Sequence, residues 1–229
     1  MFHFPIGLKC AIFDMDGTLL DSMGLWEEID ERFLKKRGIP LTPEYTEAMK
    51  RMGYNEGAKY TIQQYHLPET PEAIVEEWKE MAREAYAHQL KLKPGAAWYL
   101  RELKSHGILL ALATASPPEF YESAMRAGGV LELFDYMTDT SVTSCGKEHP
   151  DLYCHVAQKL HCLPEQCLVF EDTLHAVQGA KASGCYVCAV YDPSSQSDWE
   201  HLKNRSDYIL TDFHEGPMPS AAVPTAHNT

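Results

Sequence analysis

Short apolar runs that end in polar residues recur along the chain. The first run, Cys10-Ala-Ile-Phe13, is followed directly by Asp14-Met15-Asp16-Gly17-Thr18. A run of this length, bounded by acidic residues and glycine, is typical of a buried strand. Runs of the same kind predict further strands over residues 108–113, 136–138, 167–170, 186–190 and 208–210.

Helical patterns lie between these runs. They cover residues 96–105, 119–127, 151–160, 174–183 and 198–204. Proline or glycine stands next to most of them, as expected of helix start and stop signals. Because strands and helices alternate, the sequence predicts an α/β fold, with a Rossmann-like core in which helices cover both faces of a parallel sheet.

Residues 21–92 interrupt this alternation, because they carry helical patterns and no convincing strand. The patterns cover residues 25–37, 43–52, 56–66 and 71–89. We therefore expect an all-helical domain over residues 21–92, inserted into a core made of residues 1–20 and 93–215. Four apolar residues of its first helix share one stripe, which predicts that they pack in the interior. These are Trp26, Ile29, Phe33 and Leu34.

The last stretch of the sequence, residues 216–229, has a different character. It combines several prolines with small residues and shows no periodicity. Such a composition predicts a loose C-terminal tail.

Composition and charge narrow the classes of partner. The 229 residues are 45% hydrophobic and 23% charged, which is typical of a soluble globular protein. A formal net charge of −13, without a long run of Lys and Arg, argues against nucleic acid. The most apolar stretch, residues 108–115, is far shorter than the roughly 20 residues of a membrane-spanning helix. The N-terminus shows no signal-peptide pattern, so we expect a cytoplasmic location. We also expect a monomer without a membrane partner.

The seven cysteines suit reduced thiols better than a disulfide framework. Cys185 and Cys188 lie three apart on a predicted strand and so point to opposite faces, which favours core packing over redox chemistry. Zinc is the alternative for five further residues, although a helix would spread them over two faces. These are Cys154, His155, His161, Cys162 and Cys167.

Carboxylates follow two of the predicted strands. Asp14 and Asp16 come after the first strand, and Glu171-Asp172 follow the strand predicted over residues 167–170. Because ligands bind at the carboxyl ends of parallel strands, we expect these acids to converge in one crevice. Converging carboxylates repel one another unless a cation lies between them, and Mg²⁺ fits best. The alternative is that each acid caps a helix.

Four motifs, in this order, resemble those of the haloacid dehalogenase superfamily. They are Asp14-Met-Asp16-Gly17-Thr18-Leu19, Thr114 after an apolar strand, Gly146-Lys147-Glu-His-Pro150-Asp151, and Glu171-Asp172. The resemblance extends to about residue 214. The helical insertion is similar to the cap domain of the branch that includes β-phosphoglucomutase and small sugar-phosphate phosphatases.

The resemblance implies a role for each motif residue. Asp14 would attack phosphorus to form an aspartyl-phosphate, and Asp16 would serve as general acid and base. The residues implied in phosphate binding are Gly17, Thr18, Thr114, Ala115 and Lys147. The implied ligands of Mg²⁺ are Asp14, Asp16 through its main-chain carbonyl, Asp172 and Glu171. Taken singly, Thr114 is better explained as a strand-end cap and Lys147 as a solvated surface residue.

Single residues also exclude some of the reactions that members of this superfamily catalyse. Asp16 argues against dehalogenases, which lack this aspartate, and against phosphonate hydrolases, which replace it with alanine. A mutase would carry a histidine at the place of Trp26 and a Ser-Arg pair at that of Asn55-Glu56, where the arginine holds a second phosphate. The sequence therefore predicts a phosphatase acting on a small phosphorylated metabolite, in particular a sugar phosphate.

Two alternatives to the phosphatase stay open. One is a mutase of the β-phosphoglucomutase kind, and the other is a non-catalytic binding protein with the same fold. Residues of the insertion that are candidates for substrate contact are Lys50, Arg51, Tyr54 and Lys59.

Overall fold

The structure of the protein is a computed structural model that describes residues 4–5, 7–49 and 52–219. The chain forms two compact units. One contains the chain up to Asp21 and again from Lys91 onward, and the other contains residues 22–90. The first unit holds a sheet with its helices, and the inserted unit is built of helices.

The first unit is built on a six-stranded parallel sheet. Its strands are β1 (Cys10–Phe13), β2 (Leu109–Thr114), β3 (Tyr136–Asp139), β4 (Cys167–Glu171), β5 (Tyr186–Val190) and β6 (Tyr208–Leu210). All the predicted strands are confirmed. Three of them end one residue later than predicted, so that the polar residues Thr114, Asp139 and Glu171 still belong to the sheet.

The helices also follow the predicted order. Those of the inserted unit are α1 (Leu25–Lys36), α2 (Pro43–Met49), α3 (Tyr54–Tyr65) and α4 (Pro71–His88). Those that alternate with the strands are α5 (Ala96–Ser105), α6 (Pro118–Ala127), α7 (Asp151–Lys159), α8 (Leu174–Ala182) and α9 (Trp199–Arg205). Among the helices of the described ranges, none combines the length and apolar character that a membrane crossing needs.

Both faces of the sheet are covered. On one face, the Phe13 and Phe170 rings stack with 4.4 Å between centroids, and Tyr99 of α5 lies edge-on to Phe170 at 5.7 Å. Successive strand residues point to opposite faces, so Ile12 and Val169 lie on the other side. There they share a buried cluster with residues of α7 and α8. The predicted Rossmann-like fold is therefore confirmed.

The connections change direction at β1. The strand order is β3-β2-β1-β4-β5-β6, so the chain first adds β2 and β3 on one side of β1 and then β4 to β6 on the other. In such a sheet a crevice opens beyond the carboxyl ends of the strands at the point of reversal. Asp14 and Asp172 directly follow the two strands that flank this point, β1 and β4.

The beginning of the predicted loose tail is packed. Gly216 and Pro217 are buried, and the Tyr99 hydroxyl donates to Pro217 O at 2.6 Å. The Phe4 N–H donates to Met218 O at 2.9 Å. The prediction is therefore wrong for Gly216 to Met218, because hydrogen bonds to its main-chain carbonyls hold this segment although it has no hydrophobic periodicity. Residues 220–229 of the predicted tail lie outside the described residues.

The inserted unit has an apolar interior of its own. The Phe33 ring of α1 meets Trp78 of α4 edge-on at 5.5 Å, and the Arg37 guanidinium lies 3.7 Å from the centroid of the Phe33 ring. Arg37 also pairs with Glu69 at 2.9 Å and Glu77 at 2.7 Å. Phe33 therefore joins the first and last helices of the unit.

The predicted stripe on α1 is covered along part of its length. Ile29, Phe33 and Leu34 are buried, as predicted, but Trp26 is 38% exposed and the prediction is wrong for this residue. Trp26 lies in the first turn of α1 and contacts Tyr54, with 5.3 Å between ring centroids. Periodicity identifies the face of a helix that is apolar, but it does not show how far along the helix that face is covered.

We expect truncation of these two aromatic residues to affect stability very differently. Phe33→Ala removes a buried ring and should lower the free energy of unfolding by about 3–5 kcal/mol. Trp26→Ala removes a larger but partly exposed ring and should cost about 1 kcal/mol or less. Denaturant unfolding of the full chain measures both losses. Equal losses would contradict the burial assigned to α1.

Candidate active site

Asp14 stands where the backbone turns sharply after β1. Its N–H donates to Phe170 O at 3.0 Å, which continues the pairing of β1 with β4 beyond the last strand residue. Gly17 has φ of 78°, a left-handed conformation that glycine adopts without steric cost. The Gly17 N–H donates to Leu20 O at 3.1 Å and so closes the turn. A contact of Gly17 with phosphate stays a prediction.

The Lys147 ammonium lies between two buried carboxylates. Its Nζ is 2.7 Å from Asp14 Oδ1 and also contacts Glu171 Oε1, and the side chain is 7% exposed. Burial by itself would lower the pKa of Lys147, but the charges of Asp14 and Glu171 outweigh burial and hold the pKa above its usual value. The structure therefore places a permanent cation beside Asp14.

A glycine on α8 lets the main chain around Lys147 come close to that helix. A Cβ atom on Gly179 would collide with the main-chain oxygen of Lys147 and would lie 2.8 Å from that of His149. Real Cβ contacts with backbone are not that short, so a larger residue would push the loop away. Gly179 thus fixes how deeply Lys147 reaches towards Asp14.

Glu171 and Asp172 each offer one carboxylate oxygen to a further ligand. Glu171 Oε1 accepts from Lys147 and, at 3.1 Å, from the Tyr153 hydroxyl, and Asp172 Oδ1 accepts from the Thr18 hydroxyl at 2.9 Å. Their other oxygens, Glu171 Oε2 and Asp172 Oδ2, are buried and have no hydrogen-bond partner among the described residues. Burying a carboxylate oxygen without a hydrogen-bond partner lowers the stability of the fold unless a ligand binds to that oxygen.

These orphaned oxygens fit a hard divalent cation. Ligand atoms of Asp14, Glu171 and Asp172 all lie within 4.8 Å of one another. Carboxylate oxygens are the ligands that Mg²⁺ prefers, and a cation between them removes their mutual repulsion. The convergence expected from the sequence is present for Asp14, Glu171 and Asp172. Helix capping does not explain two oxygens that have no hydrogen-bond partner among the described residues.

The cluster favours protonated carboxyls while no cation is bound. Burial and, after it, the charge of Asp14 raise the pKa of Glu171 to about 8, although the charge of Lys147 opposes both. Burial likewise raises the pKa of Asp172 to about 7, again with a contribution from Asp14. A divalent cation stabilises the charged forms and would reverse both shifts.

Asp16 is held by a different loop. Its Oδ2 accepts a hydrogen bond from the Ser116 hydroxyl at 2.7 Å, and the Ser116 N–H donates to Thr114 Oγ1 at 3.1 Å. The loop after β2 therefore fixes the Asp16 carboxylate and Thr114 together. The carboxylate of Asp16 does not belong to the cluster of Asp14, and a metal contact through its main-chain carbonyl stays a prediction.

Three residues of the site were not predicted from the sequence. Ser116 and Tyr153 touch the acids directly, and Lys93 joins two loops. Lys93 Nζ donates to Gly17 O and, at 2.9 Å, to Tyr191 O, and it pairs with Asp192 Oδ2 at 2.8 Å. Ser116 had a signal, since it stands two residues after Thr114. Tyr153 lies inside an amphipathic helix and Lys93 before a proline, and neither pattern indicates a site.

The other predicted residues have varied surroundings. Thr114 is buried and Ala115 is exposed at the end of β2. Among the candidates for substrate contact in the insertion, Tyr54 and Lys59 are exposed on α3, whereas Lys50 and Arg51 lie outside the described residues.

The five residues considered as alternative zinc ligands do not form a common site among the described residues. Cys154 is exposed, whereas Cys162 and Cys167 are buried. Within the described ranges, the groups that come within metal-binding distance are the cluster of Asp14 and a second group formed by Cys145, His149 and Asp151.

Comparisons with known proteins decide the family. The family model for haloacid dehalogenase-like hydrolases matches residues 11–190. The chain belongs to this family. A phosphorylated carbohydrates phosphatase of Thermotoga maritima is 29% identical, over 77% of this chain and 82% of the relative. Hexitol phosphatase B of Escherichia coli (strain K12) is 27% identical, over 85% of this chain and 88% of the relative.

A solved structure of the same family superposes over nearly the whole chain. It is a Thermotoga maritima protein to which a β-phosphoglucomutase activity is attributed. The TM-score is 0.81 at 28% identity, and the match covers 91% of this chain and 96% of the other. With relatives named as phosphatases, this haloacid dehalogenase-like hydrolase is a phosphoric monoester hydrolase.

The raised pKa values predict how a divalent cation held by this cluster would change the stability of the hydrolase. A carboxyl with a higher pKa in the folded state holds its proton longer when folded, so stability falls as the pH rises from the unfolded to the folded pKa. For Glu171 and Asp172 that window runs from about 4, the ordinary carboxyl value, to about 8. We expect the melting temperature without metal to fall across this window, and Mg²⁺ to raise it most near the upper end.

Substitutions separate this effect from other titrations. Glu171→Gln and Asp172→Asn should reduce the magnesium-dependent gain in melting temperature near pH ~8. Burial also raises the pKa of Asp30, in the inserted unit, to about 7, so Asp30→Asn is a matched control that should keep the full gain. A gain in melting temperature that does not depend on pH would contradict the assignment.

Proposed function

We propose that this hydrolase is a magnesium-dependent phosphatase that cleaves a small phosphorylated metabolite, in particular a sugar phosphate, through an aspartyl-phosphate on Asp14. One observation carries the proposal. Asp14 Oδ1 lies 2.7 Å from the buried Lys147 ammonium, and the same carboxylate lies within 4.8 Å of the ligand atoms of Glu171 and Asp172. A nucleophilic carboxylate is thus surrounded by the charges that bind and activate a phosphoryl group.

The first step is attack of an Asp14 oxygen on phosphorus. Phosphoryl oxygens repel an incoming carboxylate, and Lys147 offsets this repulsion because it is charged throughout. The Thr114 hydroxyl and the Ala115 amide, at the end of the strand beside β1, hold the phosphoryl group. The bond from phosphorus to the ester oxygen breaks as the aspartyl-phosphate forms.

Asp16 handles the protons of both steps. It protonates the departing alkoxide and then takes a proton from the water that hydrolyses the aspartyl-phosphate. The hydrogen bond from Ser116 to Oδ2 fixes the orientation of this carboxyl. Ser116 is therefore a positioning residue for the acid and base.

The acid cluster would form the metal-binding site. Asp14, Glu171, Asp172 and the Asp16 carbonyl would hold Mg²⁺, which supplies charge neutralisation at the phosphoryl oxygens when bound. Thr18 and Tyr153 keep the two acids in position by hydrogen bonds to Asp172 Oδ1 and Glu171 Oε1. The Thr18 hydroxyl thus binds a metal ligand, Asp172. The predicted contact of Thr18 with phosphate is therefore assigned to its main-chain N–H.

The substrate class rests on the relatives. One is named a phosphorylated carbohydrates phosphatase and another a hexitol phosphatase. A screen of phosphorylated sugars and polyols with Mg²⁺, read by release of inorganic phosphate, tests the proposal. Chelation should abolish turnover, and turnover that survives exhaustive metal removal would contradict the role given to the acid cluster.

Asparagine substitutions should separate the two aspartates kinetically. Asp14→Asn should be inactive towards every ester, because the amide is a poor nucleophile. Asp16→Asn should slow the first step strongly for an alkyl phosphate and much less for an activated aryl phosphate, because the phenolate leaves without a proton. Single-turnover release of the two alcohols measures this difference.

A distant carboxylate provides the control for these variants. Asp198 is exposed before α9, so Asp198→Asn should keep full activity towards both esters. Equal losses for the two leaving groups in Asp16→Asn would remove the general-acid assignment. Full activity of Asp14→Asn would overturn the aspartyl-phosphate.

A mutase is the second candidate, because the superposed Thermotoga maritima structure carries that attribution. Glu56, which stands where a mutase would have arginine, is exposed in the first turn of α3 and adds negative charge there. In the place of that arginine, a carboxylate would repel the second phosphate of a bisphosphate. We therefore expect β-glucose 1-phosphate to give inorganic phosphate or no product, and efficient formation of glucose 6-phosphate with a bisphosphate primer would reverse the ranking.

A further inference from the structure

The loop that carries Lys147 holds a second group of potential metal ligands. Cys145 precedes Lys147 by two residues, and His149 follows it by two. Asp151 is the first residue of α7. Ligand atoms of Cys145, His149 and Asp151 all lie within 4.8 Å of one another.

We propose that Cys145, His149 and Asp151 form a second metal site, selective for Zn²⁺ or a similar divalent transition metal. A thiolate, an imidazole and a carboxylate are together the donors of zinc sites. Bond lengths of about 2.0–2.3 Å to a tetrahedral ion separate ligand atoms by roughly 3.5 Å, so these atoms need to approach by little more than about 1 Å. A solvent molecule can complete the four ligands.

The loop is already shaped for this approach. The Thr143 hydroxyl donates to Cys145 O at 2.8 Å, and the His149 N–H donates to Gly146 O at 3.2 Å, so the chain turns between two of the ligands. The Glu148 carboxylate lies 3.7 Å from His149 Nε2 and adds a negative charge next to the group. A carboxylate beside a ligating imidazole orients it and favours cation binding.

The two metal sites differ in chemistry and in access. The cluster of Asp14 offers buried oxygens alone, which suit Mg²⁺. The second group offers sulfur and nitrogen, which Mg²⁺ binds poorly and Zn²⁺ binds well. The His149 side chain is 55% exposed and Cys145 is half-buried, so an ion from solvent can reach them.

Binding at the second site should also affect Lys147. Ligands on both sides of this residue must move towards the ion, while Gly179 leaves no free space between α8 and the main-chain oxygens of Lys147 and His149. The ammonium would then be displaced from Asp14. We expect Zn²⁺ added to the magnesium-loaded enzyme to lower turnover several-fold, an effect that rests on the proposed function, whereas metal binding itself does not.

Cobalt provides a direct readout of the thiolate ligand. Co²⁺ occupies zinc sites, and a bond from cobalt to sulfur gives an intense near-ultraviolet charge-transfer band that oxygen ligands do not give. With excess Mg²⁺ protecting the cluster of Asp14, one equivalent of Co²⁺ should produce this band in the full-length protein. Zn²⁺ should then bleach it by displacement, since zinc sites of this kind bind Zn²⁺ more tightly than Co²⁺.

Three variants make the test specific. Cys145→Ser should abolish the band, and His149→Ala should weaken Co²⁺ binding by about tenfold or more. Cys154→Ser removes an exposed thiol that lies one helical turn after Asp151 on α7 but outside the proposed ligand group, and it should leave the band unchanged. Absence of the band in the unmodified protein, or its survival in Cys145→Ser, would overturn the site. Because the band does not report catalysis, this outcome is independent of whether the phosphatase proposal holds.

Discussion

Three carboxylates crowd into a space that the sheet keeps nearly dry, and the rest of the site is arranged around their repulsion. Asp14, Glu171 and Asp172 are buried within 4.8 Å of one another. Charges this close in a low-dielectric interior cannot all persist without compensation. Lys147 supplies part of it, but burial first and the charge of Asp14 second still raise the pKa of Glu171 to about 8 and that of Asp172 to about 7.

The fold determines why the acids meet at this place. In a parallel sheet whose connections reverse at β1, the residues after β1 and β4 must be neighbours, and the Asp14 N–H even bonds to the last part of β4. The remaining partners come from farther along the chain. Tyr153 reaches Glu171 from α7, and Gly179 of α8 leaves room for the main chain at Lys147. The helices thus hold the charges in place as well as covering the sheet.

The sequence predicts best what is local. An apolar run that ends in acids is enough to predict a strand, and the order of strands and helices is enough to predict the sheet. The core fold and the convergence of Asp14, Glu171 and Asp172 could therefore be predicted from the sequence. Ser116, Tyr153 and Lys93 were missed because each owes its place to a contact with a residue far along the chain. No local pattern encodes the contacts of Tyr153 and Lys93, and the signal for Ser116 is its position two residues after Thr114.

The two errors in packing have a related cause. Trp26 fits the apolar stripe of α1, but periodicity reports the direction of a side chain and not whether another element covers it. The segment from Gly216 to Met218 has no periodicity at all, yet it is held by main-chain carbonyls that accept from Tyr99 and Phe4. Main-chain carbonyls accept hydrogen bonds whatever the side-chain pattern of their own segment, so the composition of residues 216–218 could not reveal them.

The position of Lys147 links the chemistry of the site to the exposed loop around it. Its ammonium is buried against Asp14, while the residues two positions away on either side are accessible to solvent. A buried cation on so short a loop cannot be positioned independently of its neighbours. On the side that faces α8, the main-chain oxygens of Lys147 and His149 lie close against Gly179 and leave the loop no free space. Any ligand that draws Cys145 and His149 together must therefore act on the charge balance at Asp14. A loop of a few residues thus couples ligand binding at the surface to the buried carboxylates around Asp14.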